Sequence, residues 1–290
     1  MSSSTQDIEK LRHRAATALE KGLGFVSAHG DQIAVLRARV LLGAEPVEVL
    51  TGAVGECQTD RGGFWPLGLS EGGAVAFAES FAAAEISPEV SGTIEALSAL
   101  SDLGELHAPC IESAAVFLAE EQADDGGWGA SALPADSRLF VTGMLTGLLG
   151  RTRVVRPVVL TRASAFMESL WSQDRIADQA WPALTAFAVF FSSVDHDQAD
   201  GALQWIGREL ETGYRRRVYD AATTLRTLLH CQALGLPGAS IEALALLDDL
   251  LNEQGADGGF AEFAPADDRS RVEPTLDAML GILRLCSVLE

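Results

Sequence analysis

The chain has little positive charge, few tyrosines, no paired cysteines and no long apolar run, and each shortage removes a class of function. Lys and Arg number 21 against 41 Asp and Glu, a formal charge of −20. Nucleic acid and anionic membrane surfaces require clustered basic residues, so neither is expected as a partner. Cys57, Cys110, Cys231 and Cys286 stand far apart, with no Cys-x-x-Cys spacing. That argues against a zinc site or a disulfide framework and fits a reducing, cytoplasmic setting. The cysteines read as small buried hydrophobes. The longest uncharged apolar stretch, 180–194, is shorter than the roughly 20 residues that span a bilayer. No basic segment followed by an apolar one opens the chain, so no signal peptide is expected. No metal or cofactor motif is present, and neither is expected.

What is abundant is alanine and leucine within an apolar fraction of 48%, a composition that favours helix over sheet. A Gln-x-x-x-Gly-Gly-aromatic pattern occurs three times: Gln58 to Phe64, Gln122 to Trp128 and Gln254 to Phe260. Each follows an amphipathic stretch; in the last, Ile241, Leu244, Leu247 and Leu251 lie at 3.6-residue spacing. The Gly-Gly pair is expected to end the helix through a left-handed residue, with the aromatic folding back onto it. A stretch apolar on nearly all faces comes next, as in 140–149 and 275–283, and is expected to be buried on all sides.

The repeating unit is therefore a half-exposed outer helix, a turn and a buried inner helix. Six units are counted. Outer helices are expected near 6–26, 46–57, 108–121, 157–172, 199–211 and 240–253; inner ones near 31–43, 88–103, 137–149, 182–194, 218–234 and 273–289. A further helix or lid is expected within 66–86. No linker divides the chain, so residues 1–290 read as one all-α domain.

These helix pairs with a Gln…Gly-Gly-aromatic turn resemble the repeat of squalene–hopene cyclases, class II terpene cyclases and protein prenyltransferase β-subunits. The resemblance implies an α6/α6 toroid, one barrel of six helix pairs with inner helices walling a cavity. It makes Gln58, Gln122, Gln254, Phe64, Trp128 and Phe260 structural. It does not carry the chemistry over, because the Asp-x-Asp-Asp acid motif of class II cyclases and the zinc set of prenyltransferases are both absent. Small stand-alone toroids of this kind among actinomycete natural-product enzymes include ones that close an aziridine by expelling sulfate.

Polar residues on the expected inner helices are the site candidates. Glu273 and Asp277 are i,i+4 neighbours, and Arg284 shares their face. They read either as an acid–base pair facing a cavity or as an N-terminal cap plus a buried Asp–Arg pair. On the fifth inner helix Tyr219, Thr223, Arg226 and His230 share a stripe beside Asp220, and Arg217 precedes them as a candidate for a sulfate, phosphate or carboxylate. Asp220, Glu273 and Asp277 are the catalytic candidates. Arg217, Tyr219, Thr223, Arg226, His230, Trp181 and Trp65 are the substrate-binding candidates, the tryptophans at a pocket mouth or in the core. Asp31 and Asp136 open inner helices as caps or acids, and Asp195 and Asp197 read as caps. Arg61 stands where the other turns carry Asp125 and Asp257.

The expected activity is ring closure in a small organic substrate, free or presented on a carrier, by carboxylate-assisted proton removal and loss of an anionic leaving group. A terpene-type cyclase with a reduced acid motif and a non-catalytic binding scaffold are the alternatives.

Overall fold

The computed structural model describes residues 3–67, 81–177, 181–260 and 267–289. Among these there is no strand, only one isolated bridge, between Gln58 and Phe64. The helices are α1 (Ser3–His29), α2 (Gln32–Leu41), α3 (Val47–Gly55), α4 (Pro88–Asp102), α5 (Cys110–Glu121), α6 (Ala135–Gly150), α7 (Pro157–Leu170), α8 (Gln173–Ile176), α9 (Trp181–Ser193), α10 (Ala199–Arg215), α11 (Ala221–His230), α12 (Ala243–Glu253) and α13 (Val272–Ser287). Each of the twelve expected ranges overlaps one of them, and the short α8 is additional. Residues 81–84 are also helical; most of the expected extra element in 66–86 lies outside the described residues.

Helices α6 and α9 are apolar on every face and are buried almost end to end. They cross closely because α6 offers glycines: a Cβ on Gly143 would lie 2.7 Å from the Ala186 carbonyl, and one on Gly147 2.2 Å from Val189 Cγ1. The inner helices follow one another by contact, α2 on α13, α13 on α11, α11 on α9, α9 on α6 and α6 on α4. Arg37 of α2 then reaches Asp102, the last residue of α4. The others pack outside this succession: α1 on α2, α12 and α13, α3 on α2, α5 on α4, α7 on α6, α10 on α9 and α11, and α12 on α11 and α13. The buried stripe of α12 is Leu246, Leu247 and Leu250. It is not the expected Ile241–Leu244–Leu247–Leu251 set, because the helix begins only at Ala243 and leaves Leu244 43% exposed.

The three glutamine turns are one seam built three times. The amide Nε2 of Gln58 donates to its own Gly62 carbonyl and to the carbonyl of Cys110, both at 2.8 Å. Gln122 does the same to Gly126 and Val159, and Gln254 to Gly258 and Ala18. The first glycine of each pair has φ between 92° and 94°. A Cβ there would strike the backbone of the neighbouring helix, at Ser113, Arg162 or Lys21. The aromatic residue's N–H donates to a threonine of the next inner helix: Phe64 to Thr93, Trp128 to Thr142, Phe260 to Thr275.

The acceptor, the glycine contact and a phenylalanine keep one spacing on each receiving helix: Cys110, Ser113, Phe117; Val159, Arg162, Phe166; Ala18, Lys21, Phe25. Over those rings lie the guanidinium groups of Arg61, Arg138 and Arg271, at 5.1, 5.1 and 4.7 Å. The third seam joins the C-terminal part of the chain to α1.

One detail differs from the sequence expectation. The glycines do not stop the helices: α5 and α12 end at Glu121 and Glu253, where Gln122 and Gln254 turn to extended backbone. The glycines instead make the tight turn four residues later. The aromatic does fold back in the second seam, where Trp128 Nε1 donates to the Leu118 carbonyl of α5 at 2.8 Å.

The exchanged residue at Arg61 also has an explanation. Asp125 pairs with Arg138 and Asp257 with Arg271, whereas Arg61 pairs with Glu89, four residues before Thr93 as Arg138 and Arg271 stand four before Thr142 and Thr275. The first seam is the same ion pair with its charges exchanged.

Candidate functional site

From Val90 onward, helix α4 is buried except for a stripe of Ser91, Glu95, Ser98 and Asp102, spaced by three or four residues. Helix α13 carries a matching stripe of Glu273, Asp277 and Arg284. These stripes meet around two buried arginines, one from α2 and one from α11. Arg37 Nη1 donates to both Glu273 oxygens, at 2.9 and 2.8 Å, and its Nη2 reaches Asp102 Oδ2 at 3.3 Å. Arg226 Nε donates to Asp277 Oδ2 at 2.7 Å. Four inner helices thus supply one charged network.

The electrostatics divide these acids. Burial pushes the Asp102 carboxyl up to about 7, and Asp277 and Glu273 beside it act in the same direction against the pull of Arg37. Burial also pushes Glu95 up to about 7, against the Leu67 N–H that donates to its Oε2 at 2.9 Å. Arg37 is held firmly protonated: burial alone would lower its pKa, and the adjacent Glu273 and Asp102 more than offset that.

Below this network, at the C-terminal ends of the inner helices, a second set of polar groups knots the wall together. Arg151 donates to Ser193 Oγ at 3.0 Å, to Ser101 Oγ at 3.5 Å and to the His230 carbonyl. Gln232 donates to Ser101 Oγ, and Arg284 donates to Gln232 Oε1 and to the Asp102 carbonyl. The cavity among Ser98, Ser101, Asp102, Arg151, His230 and Gln232 has room for about one water. Burial, with the charges of Arg226 and Arg151, pushes His230 down to about 3, so its ring is neutral at physiological pH.

The sequence candidates fall into separate places. Glu273, Asp277 and Arg226 lie together in the network. Glu273 does not cap α13, whose N-cap is Arg271 with no side-chain bond, and Asp277 pairs with Arg226 rather than with Arg284. Asp220 caps α11, accepting from the Thr223 N–H at 2.7 Å; among the described residues no interaction links it to Glu273 or Asp277. The remaining α11 N–H groups of Ala221 and Ala222 are taken by Glu253, at 2.7 and 2.9 Å. The N-terminus of α11 thus already holds the chain's own carboxylates.

Arg217 is exposed, adopts φ of 58°, pairs with Asp249 at 2.9 Å and lies over the Tyr214 ring. Tyr219 is buried against Gly213, and burial raises its phenol to about 12. Thr223 is buried, with Oγ1 lacking a hydrogen-bond partner. Trp181 is buried, its Nε1 donating to Thr227 Oγ1 at 3.2 Å, whereas Trp65 is 59% exposed. Asp31 caps α2, accepting from the Ala34 N–H. Asp136 pairs with Arg175 and does not cap α6. Asp195 and Asp197 leave the N-cap of α10 to Gln198. Of the cysteines, all free, only Cys231 is fully buried.

Sequence reasoning missed Arg37, Glu95, Asp102 and Arg151. The signal that could have found the first three is charge at core-facing positions of helices otherwise rich in alanine and leucine. Among the described residues no three His, Cys, Asp or Glu side chains are grouped to hold a metal ion, and no helix is long and apolar enough to cross a membrane. No family model matches the chain, and no curated protein gives a significant match.

Proposed function

We propose that the helix pairs form an α6/α6 ring and that the chain is a cyclase-like enzyme of natural-product metabolism. It closes a ring in a small organic substrate held inside the wall, by carboxylate-assisted proton removal and loss of an anionic leaving group. The observation that carries this reading is the charged network of Arg37, Asp102, Arg226, Glu273 and Asp277 on the inner helices. Burying such a network gains little stability over an apolar core of the same volume, because desolvation offsets the attraction. Its cost points to a use in chemistry. The order of inner-helix contacts, and the third seam from Gln254 to α1, support the ring.

The wall acids favour base catalysis over alkene protonation. A carboxyl raised to about 7 is a good proton acceptor at neutral pH, but it is a weak acid for an alkene. Displacement fits better: an amine loses its proton to a carboxylate, nitrogen attacks the carbon bearing a sulfate ester, and sulfate leaves with the C–O electron pair. The scaffold reading draws on one observation, that Glu273 and Asp277 each have an arginine partner.

The test uses the full chain with 2-aminoalkyl sulfate esters of increasing length and with prenyl diphosphates. Released sulfate or diphosphate and the cyclic product are measured, beside a folded Asp277→Asn variant. Sulfate release with an aziridine product, reduced at least about tenfold in the variant, supports the reading. Release of neither anion by the wild type refutes it.

A further inference from the structure

The four wall carboxylates are not equivalent. Glu273 is clamped by one nitrogen of Arg37, Asp102 takes the other, and Asp277 takes Arg226. Each of these three thus has at least one oxygen accepting from a guanidinium. Glu95 is the exception. Among the described residues no guanidinium lies within hydrogen-bond distance of it. Its single hydrogen bond among the described residues, from the Leu67 N–H, engages Oε2 and leaves Oε1 without one. Its side chain is only partly covered, on the stripe of α4 that also carries Ser91, Ser98 and Asp102.

We propose that Glu95 is the general base of the cyclisation, an assignment that rests on the reading above. Glu95 Oε1 accepts the proton of the substrate amine as nitrogen bonds to the carbon that sheds sulfate; the C–O bond breaks, sulfate carries away the electron pair, and the protonated carboxyl returns its proton to water. The Leu67 N–H holds Oε2 and orients the group, while Arg37 engages the neighbouring Glu273 and Asp102.

The groups facing Glu95 are Glu273 from α13, and Arg37 and Asp31 from α2. Glu273 and Asp31 act with burial to favour the protonated form, and Arg37 opposes them. The balance leaves the carboxyl near 7, where it can both take up and release a proton at neutral pH.

The test compares wild type, Glu95→Gln, Glu95→Asp and Asp277→Asn, all checked for folding by circular dichroism. Sulfate release from 2-aminoalkyl sulfate esters is followed from pH 5 to 9, and protein labelled with [δ-13C]glutamate is titrated by NMR without substrate. The expected result is a carboxyl signal titrating near 7 that is absent from Glu95→Gln. In that variant kcat should fall about 10²–10⁴-fold with loss of the acidic limb of the pH profile, and Glu95→Asp should recover part of it. If Glu95→Gln keeps kcat within about threefold while Asp277→Asn loses it, Glu95 is not the base and the cyclase reading stands. A Glu95 signal titrating in the ordinary carboxylate range overturns the assignment regardless of turnover. If the wild type releases no sulfate, the cyclase reading fails and the base assignment fails with it.

Discussion

Replacing Gln254 with glutamate exchanges one amide for a carboxylate and turns two donated hydrogen bonds into repulsions. The Gln254 amide donates to Ala18 O at 2.9 Å and to Gly258 O at 2.8 Å, so a carboxylate oxygen there would face two carbonyl oxygens. Each part-buried carbonyl that loses its donor costs about 1–3 kcal/mol, giving roughly 2–6 kcal/mol for the pair. At about 2.1 cal/mol/K of unfolding entropy per residue, a chain of 290 residues loses about 3–10 °C of Tm for that change. Urea unfolding measures the free energy, and hydrogen exchange shows where it is lost: the amides of α1 between Ala18 and Phe25 should exchange faster. The matching Gln122→Glu variant, at the seam between α5 and α7, should cost a similar amount without affecting α1. A Gln254→Glu protein within about 0.5 kcal/mol of wild type, beside a destabilised Gln122→Glu, would show that the third seam carries no load and that the ring is not closed there.

Two further outcomes follow from the same geometry. Arg61→Asp should lower Tm by placing a carboxylate against Glu89 and Glu121, and adding Glu89→Arg should restore it by giving the first seam the polarity of the other two; a double variant no more stable than the single one contradicts the exchanged-pair explanation. For pH, Glu95 and Asp102 are raised to about 7 from ordinary values near 4, so the folded state holds their protons more tightly than the unfolded state. Their contribution is complete below about pH 4 and is lost as pH rises towards 7, at up to about 1.4 kcal/mol per unit for each group. Urea unfolding between pH 5 and 7 should therefore show a shallower decline in Glu95→Gln than in wild type, and identical slopes would contradict the raised pKa.

The fold was legible where the sequence repeats itself. A glutamine, two glycines and an aromatic at fixed offsets mark a seam because each does a separate job: stitching, turning, letting the next helix approach, and reaching a threonine. The receiving side was less visible. Phe117, Phe166 and Phe25 lie seven residues after their glutamine's acceptor, but nothing in an ordinary amphipathic helix announces which carbonyl will be bonded. Arg61 looked anomalous while only its own turn was considered. The compensating Glu89 lies 28 residues further on, and only the stacking of turn on inner helix brings the two together. On α12 the expected stripe shares only Leu247 with the buried face, and Ile241 lies before the helix begins at Ala243.

The site was legible only in part, because a charged residue reveals its role through its partner. Glu273 and Asp277 stood out as i,i+4 acids on an apolar helix, but the partner of Glu273 is Arg37, 236 positions away. Asp277 likewise finds Arg226 on another helix. Asp220 looked equally promising from its setting, yet a residue just before a helix is also where a cap belongs, and capping satisfies its oxygen locally. The two carboxyls left near neutrality, Glu95 and Asp102, sit among alanines and leucines on α4 without any motif. A functional acid on such a wall needs burial, like-charged neighbours and incomplete compensation by arginine. All three depend on residues brought together from four helices, so the reactive carboxylate is set by the tertiary balance of charge and not by a local pattern. Glu95 is where that balance leaves a proton free to move: Arg37 is already engaged by Glu273 and Asp102, and a single backbone N–H does not hold Glu95 in its ionised form.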